Sequence, residues 1–461
     1  MPILATFMVP HPPLIVPAVG RGGEAQITDT SASYERVADM IAKLAPETII
    51  ITSPHATMYA DYFHISPGNA ATGSLSRFGA SQVKFLEEYD EELVKEISDQ
   101  AMKQGFPAGT LGEVDRELDH GTMVPLWFIR NKYKGGKIVR IGLSGLPLAD
   151  HYRFGQMIQR AVEKTGRRAV VVASGDLSHK LQEYGPYGYA PEGPVYDHKI
   201  MDVCSRGAFG ELFDFEESFC EKAAECGHRS FVIMAGTLDG LKVVATRLSH
   251  QDVTGVGYGV CTFVPGEADE KRHFLDEYLN KLMEEISEQR HNCDPYVKLA
   301  YSSLESYILK KRIISVPAGL PEEMTARQAG AFVSIHKQGR LRGCIGTIGP
   351  TAENLAKEII NNAISASTRD PRFEPITPDE LKYLEVNVDV LEEPEDISSM
   401  DELDVKKYGV IVTSGMKRGL LLPDLDGVDT VEEQVAIAMQ KGGITEDDEI
   451  QLQRFTVTRH V

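Results

Sequence analysis

"MIQRAVEKTGRRAVVVASGDLSH", residues Met157 to His179, carries two periodicities in succession. Met157, Ile158, Ala161 and Val162 recur at helical spacing, and the run from Ala169 to Ala173 is then apolar without interruption. The first predicts a helix with one buried face, the second a strand buried on both faces. The same succession occurs earlier. "SYERVADMIAKL" sets Val37, Met40, Ile41 and Leu44 on one helical face, and "ETIIITSPH" follows as a short apolar strand. Helix and uniformly apolar strand, repeated, predict an α/β layer with helices on both faces of the sheet. "LKVVATRLS" and "GYGVCTFVP" read as its last strands, so this block is expected to cover residues 1–264.

The whole chain sets the frame. At 461 residues it is too long for one ordinary core. A hydrophobic content of 42% with 25% charged residues is that of a globular protein. No apolar run reaches the length of about 18 residues that a membrane helix needs, and the start lacks a basic, cleavable leader. The six cysteines (Cys204, Cys220, Cys226, Cys261, Cys293 and Cys344) show no CxxC spacing, which predicts a reducing, cytoplasmic setting. A formal charge of −20 repels phosphate backbones and argues against nucleic acid as a partner. A homodimer is the default assembly.

After Gly266 the character changes. Residues 265–293 are charge-rich with a stripe of Phe274, Tyr278, Leu282 and Ile286, which reads as a linker helix with a solvated face. A second block covers residues 294–461. "DPYVKLAYSSLESYI" reads as an amphipathic helix, and "YLEVNVDVL" alternates, with Leu384, Val386, Val388 and Val390 on one side. A half-buried strand of this kind predicts a smaller α+β domain. "VEEQVAIAMQKGG" is a helix that stops at glycines.

Chemistry concentrates where apolar strands end. "FMVPHPPLIVPAV" places His11 in a proline-stiffened loop after the expected strand Ile3 to Val9. "IIITSPH" delivers His55 and "VVVASGDLSH" delivers His179. In open α/β sheets the crevice beyond the carboxyl ends of strands is where ligands sit. Two further segments fit that crevice. "ELDHGTMVPL" carries His120 after Asp119, and "KAAECGHRSFVIM" carries Glu225, Cys226 and His228 at the start of a helix. Glu225 there either steadies the helix N-terminus or supplies the anionic ligand of a metal site. Two imidazoles and a carboxylate suit Fe(II) with open positions for oxygen chemistry, while Zn²⁺ hydrolysis can use a similar set.

The segments "VPHPPLIVP", "TSPHA", "DHGTMVPL" and "SGDLSH", in that order, resemble the LigB-type (class III) extradiol ring-cleavage dioxygenases and the related Memo proteins. The resemblance spans about residues 1–264. It implies His11 and His55 as Fe(II) ligands, Glu225 as the third, His179 as the acid/base and His120 as a contact to substrate oxygen and dioxygen. Asp176 is then the candidate to orient His179, and Tyr59, Tyr62 and Tyr196 are candidate pocket walls. Memo-like relatives carry a cysteine before glycine at the third-ligand position, and "ECGH" offers both Glu225 and Cys226. A hard carboxylate suits redox-cycling Fe(II), which favours Glu225 and keeps Cys226 as the alternative. The implied substrate is a small aromatic such as a catechol or aminophenol.

In the second block "GRLRGCIGTIGP" sets Cys344 between glycines on an expected strand. Cys344 is either a buried structural thiol or a nucleophile activated by Arg342 or Arg340. With "STRDPRFEPITPDEL" and "GLLLP" it resembles the AMMECR family over about residues 294–461. AMMECR-type and Memo-type domains occur with a radical SAM protein in the AmmeMemoRadiSam system. The resemblance therefore implies a radical SAM partner and a substrate that is either free or borne on a modified peptide. Two alternatives to ring cleavage stand: a metal-dependent hydrolase preferring Zn²⁺, and a Memo-like redox module that binds iron or copper without cleaving a ring.

Overall fold

The computed structural model describes residues 2–114, 117–425 and 427–461. The chain divides into two compact units, Met1–Leu279 and Asn280–Val461. All six cysteines are free, and no helix among the described residues is long and apolar enough to cross a membrane.

The first unit is built on a six-stranded sheet. Its strands lie in the spatial order Lys137–Gly142, Thr48–Ser53, Ala169–Ser174, Ile3–Val9, Tyr258–Ala268 and Leu241–Gln251. The first four run parallel and the last two antiparallel. The apolar runs predicted from sequence occupy the centre, where no face meets water. Phe7, Ile49, Ile51, Val170 and Val172 point to one side, into a core shared with Tyr34, Val37 and Ile41 of the helix Thr28–Leu44 and with Phe128 of the helix His120–Lys132. Met8, Ile50, Val171 and Ala173 point to the other, against the helices Leu148–Thr165 and His228–Gly236. Alternate residues of one strand therefore feed two cores, so such strands need unbroken hydrophobicity.

Register sets the site. Val9 pairs with Ser174, and Thr52 with Ala173, so the three central strands end at one level. The loops that leave them open side by side onto a single crevice.

The helix Phe274–Asn292 contains the boundary between the units. Its start is not a solvated linker: Leu275 is buried in the first unit's core, and Phe274 and Tyr278 pack against it. In the second unit, four antiparallel strands (Arg340–Gly346, Ala331–Lys337, Leu384–Leu391, Val457–His460) support the helices Pro295–Lys310 and Leu355–Thr368. A second four-stranded antiparallel sheet carries the helix Val431–Gly442, which stops at Gly443 in the left-handed region. On the central strand, Val386 and Val388 are buried as the alternation predicts. The opposite face is buried too from Asp389 onward, because Arg459 donates to that carboxylate at 2.8 Å.

Candidate metal centre

His11, His55 and His120 meet in the crevice. Their ring centroids stand 4.8 Å (His11–His55), 4.0 Å (His55–His120) and 5.4 Å (His11–His120) apart. The Nε2 atoms of His11 and His55 are 3.0 Å apart, and the Cys226 Sγ lies 3.6 Å from His11 Nε2. One ligand atom from each of His11, His55 and Cys226 falls within a 4.8 Å group able to hold a metal ion. The separations fit one cation. Two nitrogens each about 2.1 Å from an ion and at right angles stand about 3.0 Å apart, and a thiolate at about 2.3 Å in tetrahedral relation stands about 3.6 Å from such a nitrogen.

The protein decides which nitrogen of His11 carries the proton. His11 Nδ1 lies 2.9 Å from Ser174 Oγ. That hydroxyl donates to the Gly121 carbonyl at 2.6 Å, so toward His11 it offers only lone pairs. The proton is thereby assigned to Nδ1, and Nε2 presents its lone pair to the crevice. The Gly121 carbonyl is available because Pro125 sits inside the helix His120–Lys132. The residue four places after Gly121 has no N–H to give it. A proline that costs the helix one bond thus reaches, through one carbonyl and one hydroxyl, the ligand atom of His11.

Other side chains hold the frame. The Tyr34 hydroxyl bonds the Pro10 carbonyl just before His11, and the His11 N–H donates to Asp176 Oδ1 at 2.7 Å. Asp119 caps the helix that begins at His120, accepting from the Thr122 N–H at 3.0 Å and the Ser53 hydroxyl at 2.6 Å. Buried Arg140 donates to the same carboxylate at 3.1 Å. Burial alone would raise the Asp119 pKa, but Arg140 and these hydrogen bonds outweigh it and keep the group ionised.

Burial, reinforced by the neighbouring imidazoles, pushes His11 and His120 down to about 3. Burial also lowers His55 and His179. Neutral imidazoles with free lone pairs are what a cation needs. Burial raises Asp176 to about 6, and it raises the Cys226 thiol well above its ordinary value.

The expected carboxylate ligand is placed elsewhere. Glu225 is half-buried with its Oε2 accepting the His228 N–H at 2.6 Å, the helix-terminus role of an acid at that position. Burial raises it to about 7, partly offset by that N–H. Among the described residues Cys226, the alternative, is the one grouped with His11 and His55. It arrives there because two glycines let their loops touch: a Cβ on Gly175 would stand 2.1 Å from the Gly227 Cα.

His179 and Asp176 leave the Ala169–Ser174 strand on one turn and, with Cys226, form a second group on the same crevice. His179 lies face to face with Tyr187, centroids 5.0 Å apart. Of the expected pocket walls, Tyr196 is fully buried with its hydroxyl 3.3 Å from His228 Nδ1, a core position. Tyr59 and Tyr62 accept the N–H groups of Glu113 and Leu111. Ser174, Asp119, Arg140 and Pro125 escaped the sequence reading, although "DHGTMVP" and "VVVAS" contain three of them.

In the second unit Arg342 does not activate Cys344. Its guanidinium pairs with Glu380 at 3.0 and 3.1 Å. Burial raises the Cys344 thiol, and the Ser334 hydroxyl donates to its sulfur at 3.2 Å. That is the structural thiol rather than the nucleophile.

The family model for the catalytic LigB subunit of aromatic ring-opening dioxygenase matches residues 5–261, and the AMMECR1 model matches residues 297–460. Protein CA_C1420 of Clostridium acetobutylicum is 43% identical over 98% of both chains. A protein of Thermotoga maritima is 55% identical over 36% of this chain and 97% of its own. A crystal structure of a Pyrococcus horikoshii protein is 32% identical over 36% of this chain and 88% of that one, with a TM-score of 0.33. With its strand-tip histidines in one crevice and both halves matched, the chain belongs to the LigB dioxygenase family and carries a C-terminal AMMECR1 domain.

Proposed function

We propose that the first unit is an oxygen-dependent, metal-dependent oxidoreductase of the extradiol type, acting on a catechol- or aminophenol-like group, with Fe(II) as the working ion. The observation that carries this reading is the convergence of His11 Nε2, His55 Nε2 and Cys226 Sγ at separations that suit one cation. These three residues would hold the ion. When bound, it supplies Lewis acidity toward adjacent ring heteroatoms and one-electron exchange with dioxygen.

The chain's own groups do the rest. Ser174 keeps the His11 proton on Nδ1, away from the ion. His120 is neutral at physiological pH because burial and its neighbours hold its pKa near 3, so it meets substrate oxygen by hydrogen bonding rather than by charge. His179 takes a proton from the substrate hydroxyl and returns one to the departing oxygen. Asp176 next to it favours the protonated form of that ring.

One observation favours a second reading. The third donor is a thiolate where a carboxylate was expected, as in the Memo-like proteins, and this supports a metal-binding redox module working with a radical SAM partner. The experiment that separates the two is anaerobic reconstitution of the full chain with Fe(II), followed by oxygen uptake on a panel of catechols and aminophenols. Uptake with a coloured ring-fission product supports the first reading. Tight metal binding without uptake on any panel member supports the second. Turnover without oxygen would sink both in favour of hydrolysis.

A further inference from the structure

Two donors on the far side of the crevice, Asp176 and His179, have no part in holding the first ion. Asp176, His179 and Cys226 each offer a ligand atom, and those atoms lie within 4.8 Å of one another, as do those of His11, His55 and Cys226. The two triads share one atom, the Cys226 sulfur. Asp176 and His179 stand three residues apart on one turn and are held in place. Asp176 Oδ1 is engaged by the His11 N–H at 2.7 Å, which leaves Oδ2 toward the crevice. The His179 ring is steadied against Tyr187 at an interplanar angle of 27°. The hydrogen bonds among the described residues leave both His179 ring nitrogens unengaged. The Asp176 N–H donates to the Cys226 sulfur at 3.3 Å, a contact that stabilises negative charge on an atom with lone pairs for more than one cation.

We propose that the crevice binds two cations bridged by the Cys226 sulfur, the first on His11 and His55 and the second on Asp176 and His179. This rests on the metal reading given above and goes beyond it. The two positions are unequal. A single divalent ion is neutralised by the Cys226 thiolate and the Asp176 carboxylate together. A second divalent ion leaves surplus positive charge in a buried crevice, so it binds more weakly and with an anionic co-ligand such as hydroxide, chloride or an ionised phenol. The second ion also occupies the His179 lone pair that would otherwise carry a proton. Filling the second position therefore arrests turnover, and excess divalent metal acts as an inhibitor.

The test uses the metal-free full chain titrated anaerobically with Zn²⁺ and counted after equilibrium dialysis. A parallel Co²⁺ titration reads sulfur-to-metal charge-transfer absorption. The expected result is two Zn²⁺ per chain, the second at least about tenfold weaker, with the Co²⁺ sulfur band changing again on the second equivalent. His179→Ala and Asp176→Asn should each bind one Zn²⁺, as should His55→Ala, which removes the other half. Circular dichroism of the metal-free variants shows that they fold. One Zn²⁺ per wild-type chain, or two retained in His179→Ala, overturns the second position and leaves the first intact. No Zn²⁺ on the wild-type chain overturns both readings.

Discussion

Ser174→Ala tests whether His11 is a ligand because of what lies behind it. The hydroxyl sits between the His11 Nδ1–H and the Gly121 carbonyl, at 2.9 and 2.6 Å, and all of it is buried. Alanine leaves one buried donor and one buried acceptor without partners. At about 1–3 kcal/mol for each such group, the metal-free protein should lose about 2–6 kcal/mol of stability. His11 is then free to move its proton to Nε2, which removes the lone pair the cation uses. Loss of a group that orients a ligand typically costs about 10–100-fold in metal affinity. Pro125→Ala separates the two effects. It returns an N–H to the helix, which should stabilise it by up to about 3 kcal/mol. The same N–H competes with Ser174 for the Gly121 carbonyl and loosens the tautomer lock. Stability should rise while Zn²⁺ affinity falls, a pair of opposite signs that general destabilisation does not produce. Affinity is read anaerobically against a chromophoric chelator and stability by thermal melts of the metal-free chain. If both variants bind within about twofold of wild type while His11→Ala abolishes binding, the orientation argument fails.

Three further outcomes are expected. Cys226→Ala should lose most of the bound Fe(II), whereas Glu225→Gln, whose carboxylate faces the His228 N–H rather than the crevice, should keep the wild-type metal content by elemental analysis. The pH dependence of binding should come from the thiol. His11, held near 3, has no second proton to lose at pH 6–8, whereas the Cys226 thiol, raised by burial, keeps its proton, so each first-position ion should displace about one proton. Calorimetry in buffers of different ionisation enthalpy measures this release, which should vanish in Cys226→Ala. In the second unit Glu380 is held near 2: burial alone would raise it, but the hydrogen bonds of Arg342, Thr377 and Lys337 prevail. Its contribution, about 2–3 kcal/mol, is complete above the unfolded carboxyl value of about 4.3 and disappears as pH falls toward 2. Glu380→Gln should therefore lower the melting temperature at pH 7 and leave it nearly unchanged at pH 2.5. An equal loss at both pH values would contradict the ion-pair assignment.

The sheet was readable because its strands leave no alternative. A run such as "AVVVAS" has apolar side chains on both faces, and only a strand roofed by helices on both sides hides them all. Level strand ends then carry His11, His55 and His179 to one crevice, so the location of the site followed from topology before any distance was known. The third ligand did not follow in that way. Glu225 and Cys226 are neighbours, and only the fold shows that Cys226 groups with His11 and His55 while Glu225 turns to the His228 N–H. Chemical preference pointed to the carboxylate. The chain instead engages that carboxylate with the His228 N–H at a helix start, the other use the sequence leaves open for this acid. Of the two readings of Cys344, the structural thiol fits its surroundings and activation by Arg342 does not. Two apart on one strand, Arg342 and Cys344 fall on one face, so spacing left activation open, and only the fold shows that Glu380 takes the guanidinium.

Ligand identity in this family fold therefore depends on more than the ligating side chains. Pro125 lies inside the helix His120–Lys132, in a different element from every proposed ligand, yet its missing N–H frees the carbonyl that sets Ser174, and Ser174 sets His11. Gly175 and Gly227 bear no functional group at all, yet their close approach brings the loop that carries Cys226 against the loop that carries Asp176. A carboxylate can bridge two ions as well, but the Glu225 carboxylate accepts the His228 N–H instead. A sulfur in that place, polarised by the Asp176 N–H, faces both triads at once. The sulfur donor and the second cation position thus depend on one backbone approach, and a side chain larger than hydrogen at Gly175 should abolish both together.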